Sequence, residues 1–289
     1  MHFTTSLLLF SASLALAAPS RLNSTSTDLD LAAQHDYEYS ASAQYFELSD
    51  HEKRDLEARA TSDGVMTTCK NSGQIALTFD DGDYPYGTQI ANYLTKQGLK
   101  GSFFVNGYNW NCIYDRADDL VARYKQGHII GSHTWSHPDI TKLSDAKFNQ
   151  QLDLVETALK KILGIKPRFF RAPYGNTNAA KLKILKARGY TVVGWNFDSN
   201  DANGRAPADT VNDYKKLVYP KTYIALNHET KEGTAKTVIP QIVPALLKKG
   251  YQLVDLPTCL GVSPYQSVGT PGNRDSTWTC SGTPAPSAD

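Results

Sequence analysis

The sequence predicts an α/β fold, a distorted or incomplete (β/α) barrel of about seven parallel strands, with a doubly wound open sheet as the alternative. Three observations carry that expectation. From Gln74 onward, short apolar runs alternate with longer segments of helical period; the alternation repeats about seven times in roughly 190 residues; and uncommon polar residues gather just after the apolar runs. Strict alternation of strand and helix implies crossover connections, and therefore a parallel sheet.

The strands are expected at Gln74–Phe79, Gly101–Val105, His128–Ser132, Arg168–Arg171, Thr191–Asn196, Tyr223–Leu226 and Tyr251–Leu256. Between them, Gln89–Lys96, Ala117–Tyr124, Asp145–Leu163, Ala179–Ala187, Asp209–Val218 and Lys236–Lys248 carry helix-period patterns, several of them followed by Gly. After Gly261 both signals stop, and residues 263–289, rich in Gly, Pro, Ser and Thr, read as coil or a linker. That tail has no hydrophobic end, so no lipid-anchor signal is expected.

At 289 residues, 40% hydrophobic and 20% charged, the chain can bury one good-sized core. The catalytic domain is expected over residues 62–262. A net charge of +1 without a basic run excludes the electrostatic footprint of nucleic-acid or anionic-membrane binding. Residues 1–17, with the apolar run Leu7–Leu16 and the small-x-small pattern Ala15-Leu16-Ala17, read as a secretory signal peptide. Residues 18–54 are polar and without helical period; they read as a disordered pro-segment ending at the dibasic Lys53-Arg54, or as a linker containing that pair by chance. The sequon Asn23-Ser24-Thr25 falls inside it. No later run reaches membrane-spanning length. A soluble, secreted monomer, extracellular or in the cell wall, is expected.

Four cysteines in a secreted chain suggest two disulfides, with three pairings open. Cys69 precedes the first strand and Cys259 follows the last, so this pair would clasp the domain ends and leave Cys112 for Cys280. No C-x-x-C pair supports a zinc ribbon.

Polar residues at the carboxyl ends of strands converge on one rim of a parallel barrel, where active sites form. Asp80-Asp81, His133, Arg171, Asp198 with Asp201, and His228 all fall there. His133 and His137, four apart in H-T-W-S-H, are expected on one side of a helical turn, close enough to share an ion. With Asp81 they make a 2-His-1-carboxylate set that leaves coordination positions open, suited to zinc or cobalt in a hydrolase. Asp80 is then free to act as a base. His128, at the opposite strand end, reads as structural.

The ordered set T-F-D-D-G (Thr78–Gly82), S-H-T-W-S-H-P (Ser132–Pro138), R-A-P-Y-G (Arg171–Gly175), D-S-N-D (Asp198–Asp201) and L-N-H (Leu226–His228) resembles carbohydrate esterase family 4. The resemblance spans about Gly73 to Leu260 and is strongest to its secreted fungal chitin deacetylases, notably around Phe103–Trp110. It implies that Asp80 is the general base for the attacking water, that Asp81, His133 and His137 hold the metal, and that Arg171 orients Asp80. It also implies that the Tyr174 amide stabilises the oxyanion, that His228 protonates the leaving amine with Asp201 tuning its pKa, and that Trp110, Tyr174 and Leu226 border the sugar or acetyl pocket. The implied substrate is chitin or chito-oligosaccharides, with acetylxylan or peptidoglycan as alternatives and a non-catalytic carbohydrate-binding protein as the competing class. Two departures stand out: Ala202 follows Asp201 where the family often has an aromatic residue, and Glu229 replaces a common Asp, a change from which little effect is expected. A glycosidase reading is poorer, because neighbouring ligands of one ion cannot flank a sugar bond as that chemistry requires.

Overall fold

The computed structural model describes residues 44–45 and 47–287. The expected signal peptide, the sequon and most of the expected pro-segment lie outside the described residues. In chain order the strands are β1 (Gln44–Tyr45), β2 (Gln74–Gly82), β3 (Ser102–Val105), β4 (Ile129–Ser132), β5 (Ile165–Pro167), β6 (Phe169–Phe170), β7 (Thr191–Val192), β8 (Phe197–Asp198), β9 (Tyr223–His228), β10 (Gln252–Val254) and β11 (Tyr265–Val268). The helices are α1 (Asp50–Arg59), α2 (Pro85–Lys96), α3 (Ala117–Lys125), α4 (Asp145–Leu163), α5 (Ala179–Ala187), α6 (Pro207–Lys215), α7 (Ile239–Lys248) and α8 (Leu256–Leu260).

Every pairing in the main sheet is parallel, in the order β7-β6-β4-β3-β2-β9-β8, with β10 beside the start of β2. The result is the expected incomplete α/β barrel. β2 is its centre: it is buried over nearly its whole length, as strands covered by helices on one face and core on the other must be. α4 shows how the helices close the outside. Ser144 Oγ accepts from Lys147 N at its start, Gly164 ends it at φ 71°, and Phe148, Leu152, Val155, Leu159 and Ile162 form its buried stripe.

Register fixes the rim. Asp80 on β2 pairs with His228 on β9, Val105 pairs with Ser132, and Ser132 pairs with Phe170. The residues at or just beyond those pairs, Asp80, His133, Arg171 and His228, are thereby brought to one edge.

Three expectations are revised. The single strand expected at Thr191–Asn196 is broken: β7 pairs with β6 and β8 with β9, so the ring passes through an interrupted strand. Arg171 explains the break, because its Nε and Nη2 donate to the Val193 and Gly194 carbonyls at 3.2 and 2.9 Å, diverting them from a strand ladder. The segment expected to be disordered up to residue 54 instead enters α1 over Asp50–Arg59, started by a Ser49/Glu52 capping box and anchored by buried Leu56. Lys53-Arg54 therefore lies within a helix. The tail expected as coil contains β11, which pairs antiparallel with β5 and β1.

Both disulfides form the pairs that position suggests. Cys69–Cys259 closes a separation of 190 residues and Cys112–Cys280 one of 168. Because cross-links over long separations restrict the unfolded chain most, replacing Cys69 and Cys259 together by Ala is expected to cost about 2–5 kcal/mol. Denaturant unfolding of the double variant checks this; an unchanged midpoint would refute the stabilising role of the clasp.

Candidate active site

Asp81 ends the apolar run of β2 in the left-handed region, at φ 70°. Its Oδ1 lies 3.3 Å from His137 Nε2 and 3.6 Å from His133 Nε2, and one ligand atom from each of the three residues falls within 4.8 Å of the others. Among the described residues, this is the one group of three or more His, Cys, Asp or Glu side chains gathered in this way. Asp81 Oδ1 is buried and accepts no hydrogen bond from a described residue. An orphaned carboxylate oxygen facing two imidazole nitrogens fits a divalent cation, since a buried acceptor without a partner is otherwise costly. His133 Nδ1 lies 2.8 Å from the Arg171 carbonyl and donates to it, which leaves the Nε2 lone pair turned toward Asp81. Burial lowers the His133 pKa to about 3, so the ring is neutral, as a ligand must be.

The two histidines do not share a helical turn. Residues 133–137 form a loop in which Thr134 and His137 have φ of 70° and 58°. Asn106 holds that loop, its Nδ2 donating to the His133 and Thr134 carbonyls at 2.5 and 3.1 Å, while Tyr108 N donates to Trp135 O at 2.7 Å. Asp81, Thr134, His137 and Tyr174 are four of the five described non-glycine residues with positive φ. Left-handed strain is thus concentrated at this site, a placement associated with function.

Asp80 sits beside this group, its Oδ2 3.8 Å from His133 Nε2. Burial raises its pKa, opposed by the Arg171 guanidinium, whose Nη1 donates to Asp80 Oδ1 at 2.8 Å. Arg171 is fully buried, its Nη1 also donates to Thr78 Oγ1 at 2.7 Å, and the guanidinium carbon lies 4.4 Å from the centre of the Phe104 ring. Five contacts fix one cation, so Asp80 is held in one orientation.

On the other flank, His228 Nδ1 lies 2.7 Å from Asp201 Oδ1, while His228 N and Thr234 Oγ1 donate to Asp201 Oδ2 at 2.8 and 2.6 Å. Burial disfavours the charged ring, but the Asp201 hydrogen bond and charge, with the Asp80 and Asp81 carboxylates, outweigh it and push the His228 pKa up to about 9. Leu226 is buried on β9; Trp110 and Tyr174 are half-exposed at the mouth, and the Tyr174 ring lies 4.7 Å, edge-on, from that of His137. Asp198 does not join the site: its Oδ1 accepts from Asn200 N in the following turn. His128 is structural, its Nδ1 accepting from Gly101 N and its Nε2 within 3.0 Å of the Ala91 carbonyl.

Sequence reasoning missed the support beneath the Asp pair. Arg123 donates to Glu229 at 2.8 Å and to Asp83 at 2.7 Å, all three buried, and Tyr84 N donates to Glu229 Oε1. The Glu229 carboxylate fills the space beside Gly82 and Gly87, where a Cβ would come within 2.6 and 2.1 Å of it. Glu229 therefore anchors the turn after Asp81. The missed signal was the pairing of Gly82 and Gly87 around a buried charge.

A family model described as polysaccharide deacetylase matches residues 67–193. A chitin deacetylase of Pestalotiopsis sp is 35% identical over 201 residues, covering 68% of this chain and 67% of the relative. A peptidoglycan-N-acetylglucosamine deacetylase of Bacillus cereus is 32% identical over 199 residues, 67% of this chain and 70% of the relative. The structure of the chitin deacetylase from the fungal pathogen Colletotrichum lindemuthianum superposes with TM-score 0.68 at 31% identity, covering 71% of this chain and 96% of that one. A family 4 carbohydrate esterase from Streptomyces lividans gives TM-score 0.58 at 28% identity, covering 70% and 99%.

Proposed function

The chain belongs to the polysaccharide deacetylase family, carbohydrate esterase family 4, and from that premise we propose that it is a secreted, divalent-metal-dependent chitin deacetylase that releases acetate from N-acetylglucosamine residues. One observation carries the reading: a metal-competent Asp81/His133/His137 group gathers beside the Asp80 carboxylate, whose register partner on the adjacent strand is the His228 imidazole.

Asp81, His133 and His137 would hold the ion. When bound, zinc or cobalt supplies Lewis acidity to the attacking water and to the amide carbonyl. Asp80 takes the proton from that water as its oxygen bonds to the carbonyl carbon, and Arg171 keeps Asp80 oriented for it. The Tyr174 amide donates to the oxygen that becomes negative. His228 gives its proton to the nitrogen as the C–N bond breaks, leaving acetate and a free amine; Asp201 keeps the imidazole charged for this step. Trp110 and Leu226 border the sugar and acetyl groups.

The fungal relatives favour chitin or chito-oligosaccharides as substrate, and the Bacillus relative supports a second reading on peptidoglycan. Two disulfides suit an oxidising compartment, and no described helix is long and apolar enough to cross a membrane. We assign residues 1–17 to a removable leader and residues 62–262 to the catalytic unit, with the packed tail as part of the same body.

Chelation is expected to abolish acetate release from chitin oligomers, and zinc or cobalt to restore it, with bound metal measured in parallel. Full activity in metal-stripped protein would refute the metal assignment. Faster release from peptidoglycan fragments or acetylxylan, assayed alongside, would move the substrate.

A further inference from the structure

A groove of about 390 Å³ beside the catalytic acid's partner Asp201 is lined by Tyr84, Tyr86 and Lys231 among others. Trp110 continues its aromatic wall, with its ring edge-on to Tyr84 at 6.0 Å and 52% exposed. The apolar C–H face of a pyranose packs on such rings, so the groove suits the sugars that flank the reacting one.

The charges in the groove are mostly paired. Arg205 is bound to Asp213 at 2.7 Å, Lys236 to Glu232 at 2.5 Å, and Asp201 to His228. Lys231 makes no salt bridge among the described residues. It follows His228 by three positions, with its backbone N–H on the His228 carbonyl at 3.3 Å, and its ammonium lies 6.0 Å from the Trp110 ring centre. Its charge reaches the Asp81 carboxylate only at longer range, so a sugar resting on Trp110 places its ring substituents beside a cation with no contact partner. An acetamido group offers that cation a carbonyl acceptor. The ammonium of a glucosaminium, the product of the reaction, offers in its place only donors and a like charge.

We propose that Lys231 makes the groove discriminate against a deacetylated sugar beside the reacting residue, so that it sets the pattern of deacetylation along the chain. The proposal rests on the deacetylase reading above. Two unit charges about 6 Å apart repel by an amount that corresponds to between about 3-fold and 100-fold, depending on how wet the groove is. Salt weakens the effect if the pair is exposed.

The test compares acetate release by the metal-loaded full chain from fully acetylated chitin pentamers and from pentamers carrying one glucosamine, as the ratio of kcat/KM values. Below the titration of the sugar amine, the native enzyme is expected to favour the fully acetylated oligomer by about 10-fold, within the range given by the charge separation. Lys231→Gln is expected to bring the ratio near one, and Lys231→Arg to keep it. Above the amine's titration the native ratio should itself approach one. A native ratio near one at low pH, a ratio unchanged in Lys231→Gln, or a preference that persists once the amine is neutral would each overturn the proposal. Absence of acetate release from either pentamer would overturn the chitin reading itself, and the proposal with it.

Discussion

Asp80→Asn is expected to lower acetate release by on the order of 100-fold or more while leaving bound metal near its native level, because the residue is assigned to proton transfer and not to the ion. Asn is nearly isosteric and can still accept from Arg171 Nη1, so the site keeps its shape. It loses the charge that compensates Arg171, which is fully buried. A drop of a few kcal/mol in stability should therefore accompany the loss, and activity must be read on folded protein. His133→Ala is expected to behave oppositely, losing the ion first. A metal-free Asp80→Asn protein would make Asp80 a ligand; a metal-loaded, active one would remove it from the mechanism.

His228→Ala should separate substrates by leaving group. An amine leaves an amide only with a proton, whereas an activated aryl acetate departs without one. Amide hydrolysis is expected to fall on the order of 100-fold or more, and aryl acetate hydrolysis by less than about 10-fold. Equal losses on both would assign His228 to binding. The pH profile gives the sign of Asp201's part. The working form of His228 is protonated, so activity is lost as pH rises through its pKa, and the alkaline limb should lie near 9 in the native enzyme. Asp201→Asn removes the hydrogen-bonded charge that raises this pKa, and the limb should move to lower pH. An alkaline limb that stays in place would refute the tuning role.

The barrel was legible because short apolar runs alternate regularly with segments of clear helical period, as in β2 and α4. The rim was legible for the same reason: polar residues just after such runs can only be at strand ends. What local pattern could not show was set by distant partners. Arg171 interrupts β7 and β8 through carbonyls more than 20 residues away. The 133–137 loop escapes helix because Asn106, 27 residues earlier, captures its carbonyls. Arg123 meets Asp83 and Glu229 across separations of 40 and 106 residues, and no period records such a meeting. The tail looked like a linker because Gly, Pro and Ser carry little hydrophobic signal, yet Trp278, Cys280 and a short strand suffice to dock it.

That docking has a consequence for how the enzyme is made. Trp135 Nε1, inside the H-T-W-S-H loop, donates to Thr283 Oγ1 at 2.9 Å, and Ser287 N donates to the Ser136 carbonyl at the same distance. Cys280 closes on Cys112, two residues beyond Trp110, across 168 positions. During vectorial synthesis Asp81, His133 and His137 all emerge well before the segment that braces their loop, so the pocket reaches its final form only after that segment has arrived.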